Sequence, residues 1–283
     1  MFNGALPSSP TSSPEDLQRA RGRARLSVAV VNGKTRLREL YQDGCAKLRC
    51  PKSYGTNTFE AVLLNTAGGL TGSDRIETEI HAAPGSAVTI ASQTCERIYR
   101  SLGTAAHVET NITIAKGARV EWLPQETILF DGGMVRRRLR VDMAEDATLL
   151  AVEPVVFGRV ASGETLDHGL FRDSWRIVRN DRLTFADETR LEGPLDALTK
   201  CPGVLGGAKA LATVLLAAPE AEQFIEPARQ LLNASPNIGG VSFVNDVLIS
   251  RLIAPDSQQL RASLIPLITL LRSGRDMPRA WQI

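Results

Sequence analysis

Ala83-Pro84-Gly85-Ser86-Ala87-Val88, Ala115-Lys116-Gly117-Ala118-Arg119-Val120 and Ala144-Glu145-Asp146-Ala147-Thr148-Leu149 share one plan: a small residue, a turn at Gly or Asp, then the start of a strand. The turn positions 85, 117 and 146 lie 32 and 29 residues apart. A turn-and-strand unit recurring at this interval is what stacked β layers produce, since each layer buries its apolar face on the next. Working outward, residues 26–31, 59–64, 75–80, 87–91, 107–114, 119–123, 135–141 and 148–152 alternate or run apolar. They are enriched in β-branched residues and punctuated by Gly, Pro and Asp, as strands are. Val135, Arg137, Leu139 and Val141 share one face of their strand, with Arg136, Arg138 and Arg140 on the other. Residues 171–178 and 182–186 read as a hairpin turning at Asn180-Asp181.

After about residue 191 the period changes. Residues 207–217 and 220–233 carry helix-forming residues bounded by Gly206-Gly207, Pro219 and Pro236, and 247–253 reads as a returning strand. Asp256 is placed to cap a helix with Gln259 as its reciprocal partner, and Leu260, Leu264, Leu267, Ile268 and Leu271 form one stripe. Pro266 would bend that helix. The expected fold is mainly β, with stacked β-helix-like layers and a few C-terminal α-helices. A disordered tail is expected over 1–20, followed by a single domain over 21–283, mainly β to about 191 and mixed α/β beyond.

At 283 residues the chain can bury roughly 75% of its unfolded surface. Its 33 Lys and Arg against 31 Asp and Glu leave +2, which gives no general pull toward nucleic acid or membrane. Aromatic residues at 5% are too sparse for the stacking platforms of single-strand binders. Cys45, Cys50, Cys95 and Cys201 are too few for a stapled secreted domain. No apolar run reaches 18 residues, and the Ser/Pro/Thr-rich start has no apolar region of a secretory signal. Arg19, Arg21, Arg23 and Arg25 read as a solvated entry to the first strand, and a cytoplasmic, membrane-free protein is expected.

Familiar catalytic patterns fail. The Gly-rich loop at 65–74 lacks the Gly-Lys-Ser/Thr ending of a phosphate loop and precedes a strand, so it reads as a tight β-connection needing φ > 0. No Gly-x-Ser-x-Gly elbow occurs, and His81, His107 and His168 lie in unrelated contexts. Cys45-x4-Cys50 is an unusual zinc spacing without a second pair. What remains is a set of acids beside Gly, Arg and strand ends: Asp74, Glu121, Glu126, Asp131, Glu153, Glu164 and Asp187. Oxygen ligands without Cys or His hold ions such as Ni²⁺ weakly and release them, which suits transit better than storage. Arg97, Arg100 and Arg159 beside Asp131, Glu153 and Glu164 read equally as buried ion pairs that only hold the fold.

Five segments, in order, resemble the urease accessory protein D family (called H in some organisms). Leu63-Leu64-Asn65-Thr66-Ala67-Gly68-Gly69-Leu70-Thr71-Gly72-Ser73-Asp74 is similar to its N-x-x-G-G-h-x-G-G-D loop, with Ser73 for the usual Gly. Gln93-Thr94-Cys95-Glu96-Arg97-Ile98-Tyr99-Arg100-Ser101 resembles its Q-x-x-x-K/R-h-Y-R-S strand. Glu121-Trp122-Leu123-Pro124-Gln125-Glu126-Thr127-Ile128-Leu129-Phe130-Asp131-Gly132 resembles its most specific stretch. Gly158-Arg159-Val160-Ala161-Ser162-Gly163-Glu164 is similar to G-R-x-x-x-G-E, and Pro278-Arg279-Ala280-Trp281 to a P-R-h-W ending. The resemblance runs from about 25 to 283.

That resemblance implies a non-enzymatic chaperone of urease maturation with a stacked β fold. It implies contacts with the urease apoprotein and accessory protein F, which carries the GTPase accessory protein G, during GTP-dependent nickel insertion. No tightly bound cofactor is implied; Ni²⁺ is transient cargo in a water-filled passage. Asp74, Glu153, Glu164 and Asp187 are the implied ion-passage candidates. Gly68, Gly69, Gly72, Gln93, Arg97, Tyr99, Arg100, Glu121, Trp122, Pro124, Gln125, Asp131, Gly158 and Arg159 are the implied structural or interface residues. Two rival readings are a β-helical carbohydrate-active enzyme, which requires aromatic platforms, and a nickel store held by Cys45, Cys50 or a His.

Overall fold

The repeat seen in the sequence becomes a winding of the chain between two sheets. The computed structural model describes residues 18–51, 57–159 and 162–282, so the expected tail falls outside the described residues up to position 17. Strands β4 (Phe59–Asn65), β6 (Ala87–Ser92), β9 (Arg119–Leu123) and β12 (Thr148–Phe157) lie parallel in one sheet. Strands β1 (Arg21–Val31), β5 (Arg75–Ala82), β8 (Ala106–Ile114), β11 (Met134–Met143) and β13 (Gly169–Arg179) lie parallel in the other. From β4 to β13 the chain alternates between the sheets, one strand in each per layer. The turns after Ala83, Ala115 and Ala144 close the layers and stack: the Gly85 amide donates to the Lys116 carbonyl, and the Gly117 amide to Asp146 Oδ1.

Equivalent positions in successive layers then lie side by side. Leu26, Ile80, Ile112, Val141 and Ile177 are consecutive partners across five strands, all buried. Each such side chain removed from water contributes about 1.5–3 kcal/mol before entropy is counted. Two short strands, β7 (Glu96–Ile98) and β10 (Thr127–Leu129), add a third ladder, in which Leu70, Ile98, Leu129 and Phe157 stack. The sheet edges are completed by β2 (Lys34–Gly44) and β14 (Arg182–Gly193) on one side and by β3 (Ala46–Arg49), β15 (Ala210–Ala217), β17 (Val247–Ala254) and β16 (Ile238–Val244) on the other. β13 and β14 form the expected hairpin, with Asn180 and Asp181 at φ 50° and 60°.

Helices α1 (Leu195–Lys200), α2 (Ile225–Asn233) and α3 (Ser257–Leu271) follow β14. Asp256 caps α3 as expected, its Oδ1 accepting from the Gln259 amide at 2.8 Å while Gln259 Nε2 reaches Oδ2 at 3.0 Å. The Leu260–Leu264–Leu267–Ile268–Leu271 stripe packs on the β12, β15 and β17 sheet, leaving Pro266 exposed.

One expectation fails. The helix expected over 207–217 is a strand, β15, whose eight residues are all buried. It sits between β12 and β17, covered by the opposing sheet on one face and by helices on the other. A strand buried on both faces carries no alternation, so its apolar run reads equally as helix. No helix among the described residues is long and apolar enough to cross a membrane.

Candidate functional site

The inward alternation of β11 carries one charged residue, Arg137, into the space between the sheets. Its Nη1 donates to Glu153 Oε2 (2.6 Å) on β12 and to Thr127 Oγ1 (2.9 Å), and its Nη2 to Asp173 Oδ2 (2.8 Å) on β13. Trp122 Nε1 donates to the other oxygen of Glu153 at 2.7 Å, and Trp175 Nε1 to Asp173 at 3.1 Å. The three charged side chains are 7, 11 and 8% exposed. Burial pushes the Glu153 carboxyl up, the Arg137 guanidinium pulls it down, and Asp173 adds to the rise, which prevails. For Arg137 burial works against the cation, but the two carboxylates outweigh it and its pKa is raised. One guanidinium shared by two carboxylates makes a cluster with a formal excess of one negative charge.

A cavity of ≈ 160 Å³ is lined by this cluster and by Glu96, Asn65 and Cys95. Asn65 Nδ2 donates to both oxygens of Glu96, at 3.1 and 3.2 Å. Burial nevertheless dominates and pushes Glu96 up to about 7. Apolar side chains such as Leu63, Ile76, Ile98, Val108 and Leu139 make up most of the lining, and Asn65, Gln93, Glu96, Glu153 and Asp173 are the polar groups at which water can be held. Of the residues singled out from the sequence, Gly68, Gln93, Arg97, Trp122, Pro124 and Glu153 line it.

The other candidates lie elsewhere. Asp74 is buried beside the Gly-rich loop, where its oxygens accept from the amides of Ala20 (2.7 Å) and Thr71 (2.8 Å). The loop is the tight connection expected: Gly68 has φ 78°, and a Cβ at Gly69 or Gly72 would collide with Tyr99 or with Ser101. Ser73 stands at φ 66°, which explains why glycine suits that position. Asp187 pairs with Arg251 at 2.5 Å, joining β14 to β17.

Glu164 accepts from the Arg159 amide (2.9 Å) and side chain (3.1 and 3.2 Å). Burial would raise its pKa, but these bonds and the Asp131 amide hold it below the usual carboxylate range. Asp131 accepts from the amides of Asp167 and His168 and pairs with Arg100. Arg159 lies 4.7 Å over the Phe130 ring, which meets Tyr99 edge-on at 5.1 Å. Arg100 and Arg159 are 70 and 51% exposed, so these pairs lie at a rim. The buried partner of Glu153 is Arg137, not Arg97, Arg100 or Arg159. Its signal was present in the sequence as an arginine on the apolar face of an alternating strand.

The Glu121–Gly132 stretch serves three places at once. Trp122 and Thr127 face the interior cluster. Glu121, 1% exposed, faces the helices and accepts from Thr89 Oγ1 (2.6 Å), Arg272 (2.9 Å) and Arg275 (2.6 Å). Gln125 bonds the Ala280 carbonyl, Arg261 pairs with Glu126 at 3.1 Å, and Trp281 Nε1 donates to the Leu123 carbonyl at 2.9 Å. Gly158, with φ 81°, donates its amide to the Leu129 carbonyl. Among the described residues no three His, Cys, Asp or Glu side chains converge on a metal position, and the four cysteines are free.

The family model described as UreD urease accessory protein matches residues 20–282. A protein of Rhizobium rhizogenes named urease accessory protein UreD is 48% identical over 266 residues, covering 94% of this chain and 96% of its own. One of the same name from Chelativorans is 44% identical over 272 residues, covering 96 and 97%. Urease accessory protein UreD 1 of Brucella abortus is 43% identical over 271 residues, covering 94 and 95%.

Proposed function

This chain belongs to the UreD urease accessory protein family, and from that premise we propose that it serves urease maturation by passing nickel through its interior. As an accessory protein it is not an enzyme: it makes no bond itself. It binds the urease apoprotein and accessory protein F, which carries the GTPase protein G, and it holds no resident cofactor. The observation that carries this reading is the cavity between the sheets, lined by Glu96 and by the Arg137–Glu153–Asp173 cluster. Its carboxylates are hard oxygen donors, which suit an ion in transit. Asp74, Glu164 and Asp187 are further ion-passage candidates, although each is engaged in bonds that also hold local structure.

Glu153→Gln is the direct test. The amide keeps an acceptor for Trp122 and leaves Arg137 paired with Asp173, so the fold should persist by circular dichroism. Co-expression with apo-urease and proteins F and G should yield the same complex and urease with at least several-fold less nickel. Full nickel content in urease matured with a folded Glu153→Gln chain would remove the cluster from the mechanism. Asp74→Ala and Glu164→Ala are expected to lower nickel likewise, read together with a melting curve.

A further inference from the structure

The outer face of the β1–β5–β8–β11–β13–β14 sheet carries an unusual row. Arg21, Arg75, His107, Arg136, Arg172 and Arg190 are consecutive register partners on six adjacent strands. Like charges placed directly opposite each other destabilise a sheet, so five arginines in one row need a reason. The rows on either side supply part of the balance. Glu77 and Glu109 pair with Arg75, Glu188 pairs with Arg172, and Glu192 pairs with Arg190. Relief is weaker in the middle of the row: among the described residues neither Arg136 nor its neighbour Arg138 makes a contact ion pair, Arg136 being felt only at longer range by Glu192, and Arg21 and His107 make none either.

Five of the six, all but Arg190, also line a groove. Two depressions, of ≈ 330 and ≈ 720 Å³, lie on this face. Arg136, Arg138, Arg172 and Arg176 line the first, Arg21, Arg23 and Arg75 the second, and His107 belongs to both. Five interstrand steps of ~4.8 Å make the row ~24 Å long, and about seven residues of extended chain span that distance.

We infer that this groove docks an extended, acidic segment of a partner protein, laid across the strands with its carboxylates on Arg136, Arg138 and Arg172. Charge complementarity selects this occupant. The chain as a whole carries only +2, so the row is a local concentration and not a general polyanion surface. Glu77, Glu109 and Glu188 flank the row and confine the favourable potential to its length, which a short acidic peptide matches, whereas a longer phosphate backbone runs past the row onto these acids.

The test uses the full chain, a fluorescent heptaglutamate peptide and a seven-nucleotide oligothymidylate, read by anisotropy at low and moderate salt. Arg136→Glu with Arg138→Glu should weaken heptaglutamate at least tenfold. Arg36→Glu with Arg38→Glu, the same charge change on exposed positions of β2, should change it less than threefold. Equal losses in the two double variants would reduce the effect to net charge and overturn the site. Oligothymidylate bound as tightly as heptaglutamate, and lost with Arg136 and Arg138, would overturn the assignment to an acidic protein. Unchanged melting curves in both variants establish that the losses are local.

Discussion

Glu96 makes the fold less stable as pH rises from 4.5 through about 7. Its carboxyl rises from an ordinary 4.5 to about 7 because burial outweighs the hydrogen bonds from Asn65 and the Arg97 amide. Between those two pH values the native chain holds a proton that the unfolded chain has released. Stability contributed by the raised group is therefore complete below pH 4.5 and is lost as pH climbs through 7. At 1.36 kcal/mol per unit the loss amounts to about 3 kcal/mol by pH 8. Glu96→Gln removes the titration yet keeps an acceptor for Asn65. Urea unfolding of both chains at pH 5, 6, 7 and 8 isolates the difference, since every other titrating group is common to them. The variant's advantage should grow from under about 1 kcal/mol at pH 5 to about 3 kcal/mol at pH 8. A difference that stays flat across this range would refute the assignment of a proton-holding carboxyl in the cavity lining.

Other perturbations follow from the same geometry. Arg137→Met strands Glu153 and Asp173 together in the interior and should cost about 3–5 kcal/mol in urea unfolding; adding Glu153→Gln and Asp173→Asn should recover most of it, and an unaffected single variant would deny the cluster its structural part. Trp281→Ala removes a side chain 2% exposed, bonded to Leu123 and stacked under Arg261 at 4.9 Å, with an expected loss of about 3–5 kcal/mol; a loss below about 1 kcal/mol would show the C-terminal segment to be loosely held. Burial pushes the Cys45 and Cys50 thiols up, whereas Cys201 is exposed. Iodoacetamide at pH 8 should modify Cys201 well before Cys45 or Cys50, as read by peptide mass spectrometry.

Much of the architecture was legible along the chain because the interactions that specify it are local or periodic. The Gly85, Gly117 and Asp146 turns, the inward set Val135–Arg137–Leu139–Val141, the Asn180-Asp181 hairpin and the Asp256–Gln259 cap each depend on residues a few positions apart. β15 escaped because periodicity reports a difference between two faces, and this strand has none: sheet covers one side and helices the other. The Gly-rich connection was legible for the same reason that the turns were, since Gly68 and Ser73 answer to a positive φ, whereas the ordered motifs were legible only through their resemblance to a family.

The chemistry of the interior was decided elsewhere. Composition and spacing named Glu153 and Glu121 as acids of interest, but not their partners. Glu153 meets Arg137 across 16 positions, Asp173 meets Arg137 across 36, and Glu121 meets Arg272 across 151. Arg100 and Arg159, adjacent to acids in the motifs, turn out to pair at a rim because their strands end where the third ladder meets solvent. Burial sets the protonation of Glu96, and burial is a property of what other layers place around a residue. Alternation along a strand determines which side chains point inward; only the stacking of distant strands determines which charges meet there and how little water they keep.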